Sequence, residues 1–371
     1  MKYRFLGTTG VRVSEICMGC MTFEKGYTPK IKNDQDAFRI LDAYVDQGGN
    51  FFDMADNYPG VEELFGRWLK GRSDREQFVL ATKVRFFPDD PEEIKGPNDV
   101  GLSRKHIMAT VDKALRRTHA EYIDVYQMHC WDEISSPEET LCAFEDVIRS
   151  GKVRYIGASN FAGWHLTKMA NMSKYQRYPK LQLCQTQYNL LNRTTEWEVN
   201  PAAIDSSISL TAWSPLGAGW LTGKYSKDAA PPAESRMARY VNNLDDWHKT
   251  NELGLNTQIP HPRKIEDEKL REKYQIQAEQ DKRWAIIDAV RDVASNHPGA
   301  TCAQVALSWL LARHGIASLI CGFSTVEQMQ DNLQSMELKL TQEEISWLDF
   351  ISHPGTPYPI DFFEQYGTHR R

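Results

Sequence analysis

The sequence predicts an α/β protein built as a (β/α)8 barrel, the TIM-barrel architecture, and three observations support this prediction. Strand-like and helix-like segments alternate along most of the chain, which is the pattern of β/α repeats. Eight strand-like segments occur, and their apolar runs are nearly continuous, as expected for parallel strands buried on both faces. No Gly-x-Gly-x-x-Gly motif follows the first strand, which counts against an open, doubly wound sheet.

The predicted elements begin with a short N-terminal hairpin, in which KYRFL and VRVSEI flank a Gly-containing turn. Helical segments separate the strands that follow. Ser103, for example, suits the N-cap of a helix over SRKHIMATVDKALRR, which has an apolar face. The eight predicted strands are, in chain order, EICMG (15–19), NFFD (50–53), QFVLATK (77–83), IDVYQMH (123–129), VRYIGAS (153–159), LQLCQTQ (181–187), ISLTAWS (208–214) and ASLICGF (317–323).

The chain length favours one large barrel, and we predict a single domain over residues 1–371 because barrels of this class often exceed 250 residues. Two segments depart from the repeat. Residues 225–283 form a charged insertion after the seventh strand, and residues 352–371 form a C-terminal loop beyond the last repeat. A long insertion is usually functional or disordered, and both a lid and a solvated charged helix are open interpretations.

Composition and charge exclude several classes of protein. The chain is 41% hydrophobic and 25% charged with a net charge of −6, and its Lys and Arg residues form no basic stripe for nucleic acid or anionic membrane. No apolar run reaches the ~18 residues of a membrane span, and the N-terminus lacks a signal-peptide pattern. The seven cysteines have no framework spacing, and the lone Cys-x-x-Cys pair, Cys17 and Cys20, predicts no metal site. We therefore expect a cytoplasmic protein with reduced thiols.

Polar residues stand at the ends of the predicted strands. In a parallel barrel these ends gather on one rim, which is where the active sites of this architecture lie. Seven strand ends that carry such groups at one edge are difficult to explain by solubility alone. The residues concerned are Asp53, with Tyr58 in the loop beyond it, Lys83, His129, Ser159 and Asn160, Gln187, Trp213 and Ser214, and Gly322 with Ser324.

Four of these residues have chemically matched roles. An ammonium group from Lys83 beside Tyr58 is expected to stabilise the phenolate and to lower the phenol pKa, which is ordinarily about 10. Asp53 would keep that lysine protonated, and His129 could donate a hydrogen bond to a substrate oxygen on which negative charge develops. Taken singly, each residue also has a structural explanation: a loop cap, a buried ion pair, a core histidine or a wall of the barrel. Their joint occurrence favours a site that donates a proton to a carbonyl.

The chain resembles the aldo-keto reductase superfamily over essentially its whole length. The catalytic Asp-Tyr-Lys-His tetrad of that family falls on Asp53, Tyr58, Lys83 and His129. The segments that carry the resemblance are FFDMADNY, LATK, YQMHCWD, GKVRYIGASNF, QTQYNLL, AWSPLGAGWLTGKY, GFSTVEQMQDNL and the aromatic tail GTPYPIDFF.

The resemblance implies a nicotinamide dinucleotide cofactor bound without a Rossmann motif. Met21 is expected beside the cofactor, and Trp131 is expected in the substrate pocket, which the insertion and the tail also line. The Thr-x-x-Gln stretch at Thr325 and Gln328 additionally predicts a capping box at a helix N-terminus, which suits phosphate. The implied cofactor contacts are Ser159, Asn160 and Gln187 to the carboxamide, Trp213 against the nicotinamide ring, Ser214, Leu216, Gly217 and Lys224 to the pyrophosphate, and Gly322, Ser324, Gln328 and Asn332 to the adenosine end.

Two departures from the family pattern bear on the cofactor and on the acid. Ser324 stands where many relatives place the arginine that grips the 2′-phosphate of NADP, which weakens the case for NADP over NAD. Arg236 occupies a position from which potassium-channel β subunits offer an arginine, and it could compensate. The sequence after Tyr58 lacks the Gly-x-Ser-Glu-like turn of many relatives, which alters the loop near the acid.

Three functions stay open at this stage. The leading one is an NADP-dependent carbonyl reductase that acts on a small-molecule aldehyde or ketone, with NAD as a possible cofactor. The second is a cofactor-binding interaction module that resembles potassium-channel β subunits. The third uses Lys83 as a Schiff-base lysine in an aldolase barrel. The intact tetrad favours the reductase, whereas the particular substrate, the direction of reaction and the oligomeric state are not determined by the sequence.

Overall fold

The structure is a computed structural model that describes residues 1–86, 96–227 and 268–366, together with 229, 232, 234 and 235. The chain groups into two compact units. The first consists of Met1–Gln187, Thr195–Trp213 and Leu311–Met336, and the second of the described parts of Tyr188–Thr194, Ser214–Leu310 and Glu337–Arg371. The single-domain organisation stays a prediction.

The first unit contains a closed barrel of eight parallel strands, which confirms the predicted fold class. All eight predicted strands are present, with small shifts at their ends. Neighbouring strands in the barrel are neighbours in the chain, and β10 closes the ring by pairing with β3. The barrel strands are β3 (Ile16–Gly19), β4 (Phe51–Asp53), β5 (Val79–Val84), β6 (Ile123–Met128), β7 (Val153–Ser159), β8 (Leu181–Gln187), β9 (Ser209–Trp213) and β10 (Ile316–Cys321).

Helices alternate with the strands, as the repeat predicts. Within the first unit, helices pack against the outer face of barrel strands, which are therefore buried on both sides; all six residues of β5, for instance, are buried. Ser103 caps its helix as expected, because its side chain accepts a hydrogen bond from the His106 backbone N–H. The helices of the described residues are α1 (Asp34–Asp46), α2 (Val61–Leu69), α3 (Arg104–Thr118), α4 (Pro137–Arg149), α5 (Gly163–Gln176), α6 (Val199–Asp205), α7 (Glu268–Ser295), α8 (Cys302–Leu311), α9 (Val326–Leu333), α10 (Gln342–Ile351) and α11 (Ile360–Tyr366).

The N-terminal hairpin closes the end of the barrel at which the strands begin. Its strands β1 (Tyr3–Phe5) and β2 (Arg12–Ser14) pair antiparallel, as predicted. Leu6 is fully buried and belongs to the cluster of apolar side chains inside the barrel. The Gly7 backbone N–H donates to Ser209 Oγ at 2.8 Å, at the start of β9. Because one end is plugged in this way, the opposite rim is the end that can receive a ligand.

The second unit is mainly helical among the residues that can be described. Helix α7 packs against α10 within it, and His297 Nε2 lies 2.9 Å from a carboxylate oxygen of Glu344. The predicted insertion is helical from Glu268 onwards, and the predicted C-terminal loop contains α11. In the part of the chain that the structure describes, no helix is both long and apolar enough to cross a membrane.

Candidate active site

The four tetrad candidates lie at one rim of the barrel, at the carboxyl ends of three successive strands. Asp53 is the last residue of β4, and Lys83 is the penultimate residue of β5. His129 follows β6 directly, and its backbone N–H donates to the Val84 carbonyl at 3.0 Å. Tyr58 lies in the loop that joins β4 to α2. The parallel register therefore brings together residues that are far apart in the sequence.

Asp53 and Lys83 form a buried ion pair. Lys83 Nζ donates to Asp53 Oδ2 at 2.7 Å and to the Met54 carbonyl at 2.7 Å. The lysine is fully buried and Asp53 is 3% exposed. Burial, the largest single effect, would lower the pKa of Lys83, but Asp53 and Tyr58 act together against it and the pKa is raised above its ordinary value. The lysine therefore carries a full positive charge at neutral pH.

The second oxygen of Asp53 is held by two glutamine side chains that sequence reasoning missed. Gln185 Nε2 donates to Asp53 Oδ1 at 2.7 Å, and Gln127 Nε2 donates to the same oxygen at 3.3 Å. Both glutamines are buried, on β8 and β6. A signal was present, since both are polar residues inside otherwise apolar strands. Their role is to fix the carboxylate, so that it presents its other oxygen to Lys83.

Tyr58 lies beside this ion pair. Lys83 Nζ is 5.2 Å from the centre of the Tyr58 ring, and its positive charge acts to lower the pKa of the phenol. Burial nevertheless raises the pKa of Tyr58 above its ordinary value, and the opposing effect of Lys83 does not overcome it. The expectation of a lowered phenol pKa was therefore wrong for the free protein, because the sequence does not reveal how deeply the hydroxyl is desolvated.

His129 faces Tyr58 across the site. Their ring centres are 6.1 Å apart with planes at 83°, and Phe86 lies edge-on to the imidazole at 4.8 Å. Burial, the Lys83 charge and the Arg85 charge together hold the pKa of His129 well below its usual range. His129 Nδ1 is buried and has no hydrogen-bond partner among the residues described. The imidazole is therefore neutral, and it can donate a hydrogen bond without carrying a charge.

The second acid of the FFDMADNY segment, Asp56, lies outside the tetrad. It is 6% exposed, and its Oδ2 accepts a hydrogen bond from the Arg85 backbone N–H at 3.4 Å. Burial and the nearby Glu62 carboxylate raise the pKa of Asp56 to about 8. Glu62 itself accepts a hydrogen bond from Thr82 Oγ1 at 2.6 Å. Asp56 thus ties the Tyr58 loop to the chain that follows β5, and it is protonated at neutral pH.

The ends of β7 and β9 meet around Asn160. Its Nδ2 donates to the His129 carbonyl and to Ser159 Oγ, each at 3.0 Å, and its Oδ1 accepts from Trp213 Nε1 at 3.1 Å. Asn160 adopts a left-handed conformation with φ 54°, which turns its side chain back across these strands. The half-exposed Trp213 ring is therefore fixed at the rim. The Ser159 hydroxyl has no acceptor of its own among the described residues, and it could donate to a ligand carbonyl.

A sequence model described as the Aldo/keto reductase family matches residues 15–352, which span the barrel and the tetrad. This protein belongs to the aldo/keto reductase family. Relatives that align over nearly their whole length support this family assignment. The chain is 35% identical to the uncharacterized oxidoreductase YrpG of Bacillus subtilis (strain 168), over 97% of this chain and 98% of that protein. It is 32% identical to versiconal hemiacetal acetate reductase of Aspergillus parasiticus, over 97% and 99% of the two chains.

A third relative is L-glyceraldehyde 3-phosphate reductase of Escherichia coli (strain K12), which is 29% identical over 94% of this chain and 92% of that protein. These names, together with the family, identify the chain as an oxidoreductase of aldo/keto reductase type.

In this aldo/keto reductase, the residues predicted at the adenosine end of a cofactor lie in the loop after β10, which holds Gly322 and Ser324, and on the helix α9 that follows it. A methyl group in place of the Gly322 hydrogen would lie 2.0 Å from Thr22 Oγ1, so the Thr22 side chain would have to move to admit any larger residue there. Half of the predicted capping box is present: Thr325 Oγ1 accepts from the Gln328 backbone N–H at 3.2 Å. The other half was wrong, because Gln328 Oε1 accepts from the Ser324 backbone N–H, at 3.0 Å, instead of from Thr325. Asn332 is 8% exposed on α9.

The residues predicted for the pyrophosphate lie in the second unit, in a tight turn. The Gly217 backbone N–H donates to the Ser214 carbonyl at 2.9 Å, and the Leu216 carbonyl accepts from the Gly219 N–H at 3.0 Å. A methyl group on Gly219, which has φ +92°, would lie 2.9 Å from Lys224 Nζ. An ammonium group therefore rests against a turn in which two glycines, Gly217 and Gly219, leave the backbone open. Such a turn fits the chemistry of a phosphate ligand.

The remaining predicted site residues are distributed as follows. Met21 is half-buried in the short 3-10 turn Cys20–Phe23 after β3, and Gln187, 8% exposed, ends β8. Trp131 lies two residues beyond His129, with its ring stacked on His165 at 4.1 Å. Arg236 lies outside the described residues. The roles of all these residues stay proposals.

Proposed function

We propose that this protein reduces an aldehyde or ketone to an alcohol with a nicotinamide dinucleotide, or catalyses the reverse reaction. The observation that carries the proposal is the buried Asp53–Lys83 pair beside Tyr58, opposite the neutral His129. A protonated phenol can donate the proton, a fixed positive charge can stabilise the phenolate left behind, and a neutral hydrogen-bond donor can bind the carbonyl oxygen.

Each tetrad residue has a defined part in this reaction. Tyr58 stays protonated through neutral pH and donates its proton to the carbonyl oxygen. The phenolate that remains lies beside the Lys83 ammonium, which stabilises it, and Asp53 keeps that ammonium charged and in place. His129 donates a hydrogen bond to the same oxygen and orients the substrate. The nicotinamide, when bound, supplies the hydride.

The chain's own residues fit such a cofactor. The fixed indole of Trp213 offers a flat surface to the nicotinamide ring, and Ser159 offers an unused hydroxyl to its carboxamide. We propose NADPH as the preferred cofactor, with a modest preference because Ser324 can offer only a neutral group to a 2′-phosphate. The proposed cofactor residues are Met21, Ser159, Asn160, Gln187, Trp213, Ser214, Leu216, Gly217, Lys224, Arg236, Gly322, Ser324, Gln328 and Asn332, with Trp131 in the substrate pocket.

The relatives support reduction of a carbonyl compound. Two of them are named as reductases, one of a hemiacetal acetate and one of L-glyceraldehyde 3-phosphate. The state of Lys83 argues against the aldolase alternative. A Schiff-base lysine must be deprotonated to attack a carbonyl, whereas the pKa of Lys83 is raised by Asp53 in spite of its burial.

The decisive experiment follows nicotinamide absorbance while the protein is offered a panel of aldehydes and ketones, once with NADPH and once with NADH. We expect turnover with at least one aldehyde and a lower KM for NADPH than for NADH. Absence of turnover with both cofactors across the panel, in either direction, would refute the proposed function. A clear preference for NADH would refute the cofactor assignment alone.

A further inference from the structure

We propose that Arg85 binds an acidic group of the substrate, so that the site takes carbonyl compounds that carry a carboxylate or phosphate near the reacting carbonyl. This inference rests on the proposed reduction and adds the class of substrate to it. Arg85 has no part in the tetrad or in the predicted cofactor contacts, although it lies only two residues beyond Lys83.

Arg85 is held beside the candidate active site by three contacts. Its backbone N–H donates to Asp56 Oδ2 at 3.4 Å, and its backbone carbonyl accepts from the Gly101 N–H at 2.8 Å. Its Nε donates to the Trp131 carbonyl at 3.0 Å, so the side chain reaches from the end of β5 towards the loop after β6. The backbone and the root of the guanidinium group are therefore both fixed.

The guanidinium group lies close to His129. It is 5.1 Å from the centre of the Phe86 ring, and the same ring lies edge-on to His129 at 4.8 Å. The charge of Arg85 also acts on His129, where it adds to burial and to Lys83 in lowering the pKa of the imidazole. The imidazole and the guanidinium group thus lie against the same phenyl ring, so a substrate whose carbonyl oxygen binds His129 could extend past Phe86 towards a positive charge.

The terminal nitrogens of Arg85 are unused. Among the residues that the structure describes, Nη1 and Nη2 have no hydrogen-bond or ion-pair partner, although the side chain is half-buried. The nearby Asp132 does not fill this role, because its carboxylate accepts from the Leu102 and Ile134 backbone N–H groups and from Ser135. A guanidinium with both terminal nitrogens free matches the fork geometry of a carboxylate or phosphate.

The charges around the substrate side of the site favour the binding of an anion at Arg85. Lys83 is neutralised by Asp53, and His129 is neutral, so neither contributes a net charge to the substrate side. Arg85 forms no ion pair among the described residues, although the Asp132 carboxylate lies near enough for their charges to interact. Trp131, whose carbonyl accepts the hydrogen bond from Arg85 Nε, offers a further donor. Its indole N–H is buried and has no acceptor among the described residues. Donors of this kind favour a ligand rich in oxygen acceptors.

The alternative is that Arg85 merely anchors the loop after β6 through Nε. That function needs neither terminal nitrogen, and the two explanations make different predictions for charged and neutral substrates.

We therefore compare 3-carboxybenzaldehyde with its methyl ester, which has a similar shape and no charge. The variants are Arg85→Gln and Arg85→Lys, and the control is Arg149→Gln, whose side chain is 73% exposed on α4.

We expect the wild type to reduce the acid with a higher kcat/KM than the ester. Arg85→Gln should lower kcat/KM for the acid roughly 10-fold to 100-fold, mainly through KM, and change the ester by less than about 3-fold. Arg85→Lys should have a kcat/KM for the acid between those of the wild type and Arg85→Gln, because lysine keeps the positive charge and loses the forked pair of donors. Raising the ionic strength should increase KM for the acid in the wild type and not in Arg85→Gln. Arg149→Gln should match the wild type.

Two results would overturn the assignment. An equal loss for acid and ester in a variant with an unchanged unfolding transition would show that Arg85 only positions the loop. A wild type that reduces the ester as well as the acid would show that no acidic group is recognised. In both cases the ester is still reduced, so the proposed carbonyl reduction survives. If the wild type reduces neither compound nor any other carbonyl, the reduction itself fails and this inference fails with it.

Discussion

At the scale of single residues, Tyr58 experiences two opposing effects. Burial raises the pKa of its phenol, and the Lys83 charge pulls it down without reversing the shift. A phenol that stays protonated is a ready proton donor for reduction, whereas it cannot accept a proton from an alcohol until it ionises. The two directions of the reaction should therefore differ in their dependence on pH.

We predict that carbonyl reduction is nearly independent of pH through the neutral range, while alcohol oxidation rises as the pH is raised towards 10 and above. The neutral His129 should contribute no change near pH 6.5, because its pKa lies well below that value. Initial rates in both directions, measured from pH 5.5 to 10.5, test this prediction. An oxidation rate that already reaches its plateau near pH 7 would mean that the phenol is not the group that titrates.

The second prediction for single residues concerns the contribution of Lys83 to stability. Lys83→Met leaves the Asp53 carboxylate buried without its cation, and such a loss costs about 3–5 kcal/mol of unfolding free energy. The double variant Asp53→Asn/Lys83→Met removes both charges and should regain part of that loss, although it should stay inactive. Urea unfolding of the single and double variants measures the difference. Equal stabilities would indicate that the pair contributes little and that Gln185 and Gln127 hold Asp53 by themselves.

At the scale of elements, the loop from β4 to α2 carries a buried acid whose ionisation opposes folding. The folded pKa of Asp56 is about 8, whereas an unfolded aspartate has a pKa of about 3.9. Between these values the folded protein binds more protons than the unfolded chain. This group therefore lowers the free energy of unfolding progressively as the pH rises from about 4 to about 8.

We predict that Asp56→Asn removes this loss, so its stability relative to the wild type should improve steadily from pH 5 to pH 8. Glu62 is common to both proteins, so its own titration largely cancels in the comparison. Urea unfolding at several pH values provides the measurement, with the exposed Asp205→Asn as the control. Parallel curves for Asp56→Asn and the wild type would show that Asp56 is already ionised in the folded protein.

The regular elements could be predicted from the sequence far better than the side-chain partners. Strands such as QFVLATK are recognisable because burial on both faces demands a continuous apolar run, and Ser103 is recognisable because N-caps depend on local geometry. The partners of Asp53 could not be predicted in the same way, because Gln127 and Gln185 reach it only across the closed barrel. The hydrogen-bond partner of the Gln328 side chain was predicted wrongly, because the side chain accepts from the backbone N–H of Ser324 and not from that of Thr325, the next residue. The Thr-x-x-Gln spacing does not distinguish between these two neighbouring donors.

The tetrad shows the same difference between features that the sequence predicts and features that depend on packing. The order of its residues along the chain indicated a shared rim, because the parallel register brings successive strand ends together. The pKa of Tyr58 depends instead on desolvation, which is a property of the packed site, and it therefore differed from the expectation. Arg85 escaped notice because it stands one residue beyond the end of β5, where a charged residue is ordinarily solvated.

At the scale of the whole molecule, the barrel depends on the hairpin that plugs it. Leu6 is fully buried in the interior cluster, whereas the neighbouring Phe5 is 61% exposed. We predict that Leu6→Ala lowers the unfolding free energy by about 2–5 kcal/mol, through lost burial and a cavity at the closed end. Phe5→Ala should change it by less than about 0.5 kcal/mol. Urea unfolding measures both variants, and equal effects would show that the hairpin does not contribute to the barrel core.

The central claim is that Tyr58 donates the proton while a nicotinamide supplies the hydride, and one measurement tests it most directly. NADPH deuterated at the transferring position of C4 is mixed with an aldehyde and with the wild type, Tyr58→Phe, or the control Tyr175→Phe, whose side chain is 72% exposed. We predict that the wild type and the control place deuterium on the carbonyl carbon at similar rates. Tyr58→Phe should bind NADPH with unchanged affinity and transfer the deuterium roughly 100-fold or more slowly. Transfer by Tyr58→Phe at close to the wild-type rate, or loss of the deuterium to solvent, would contradict the claim.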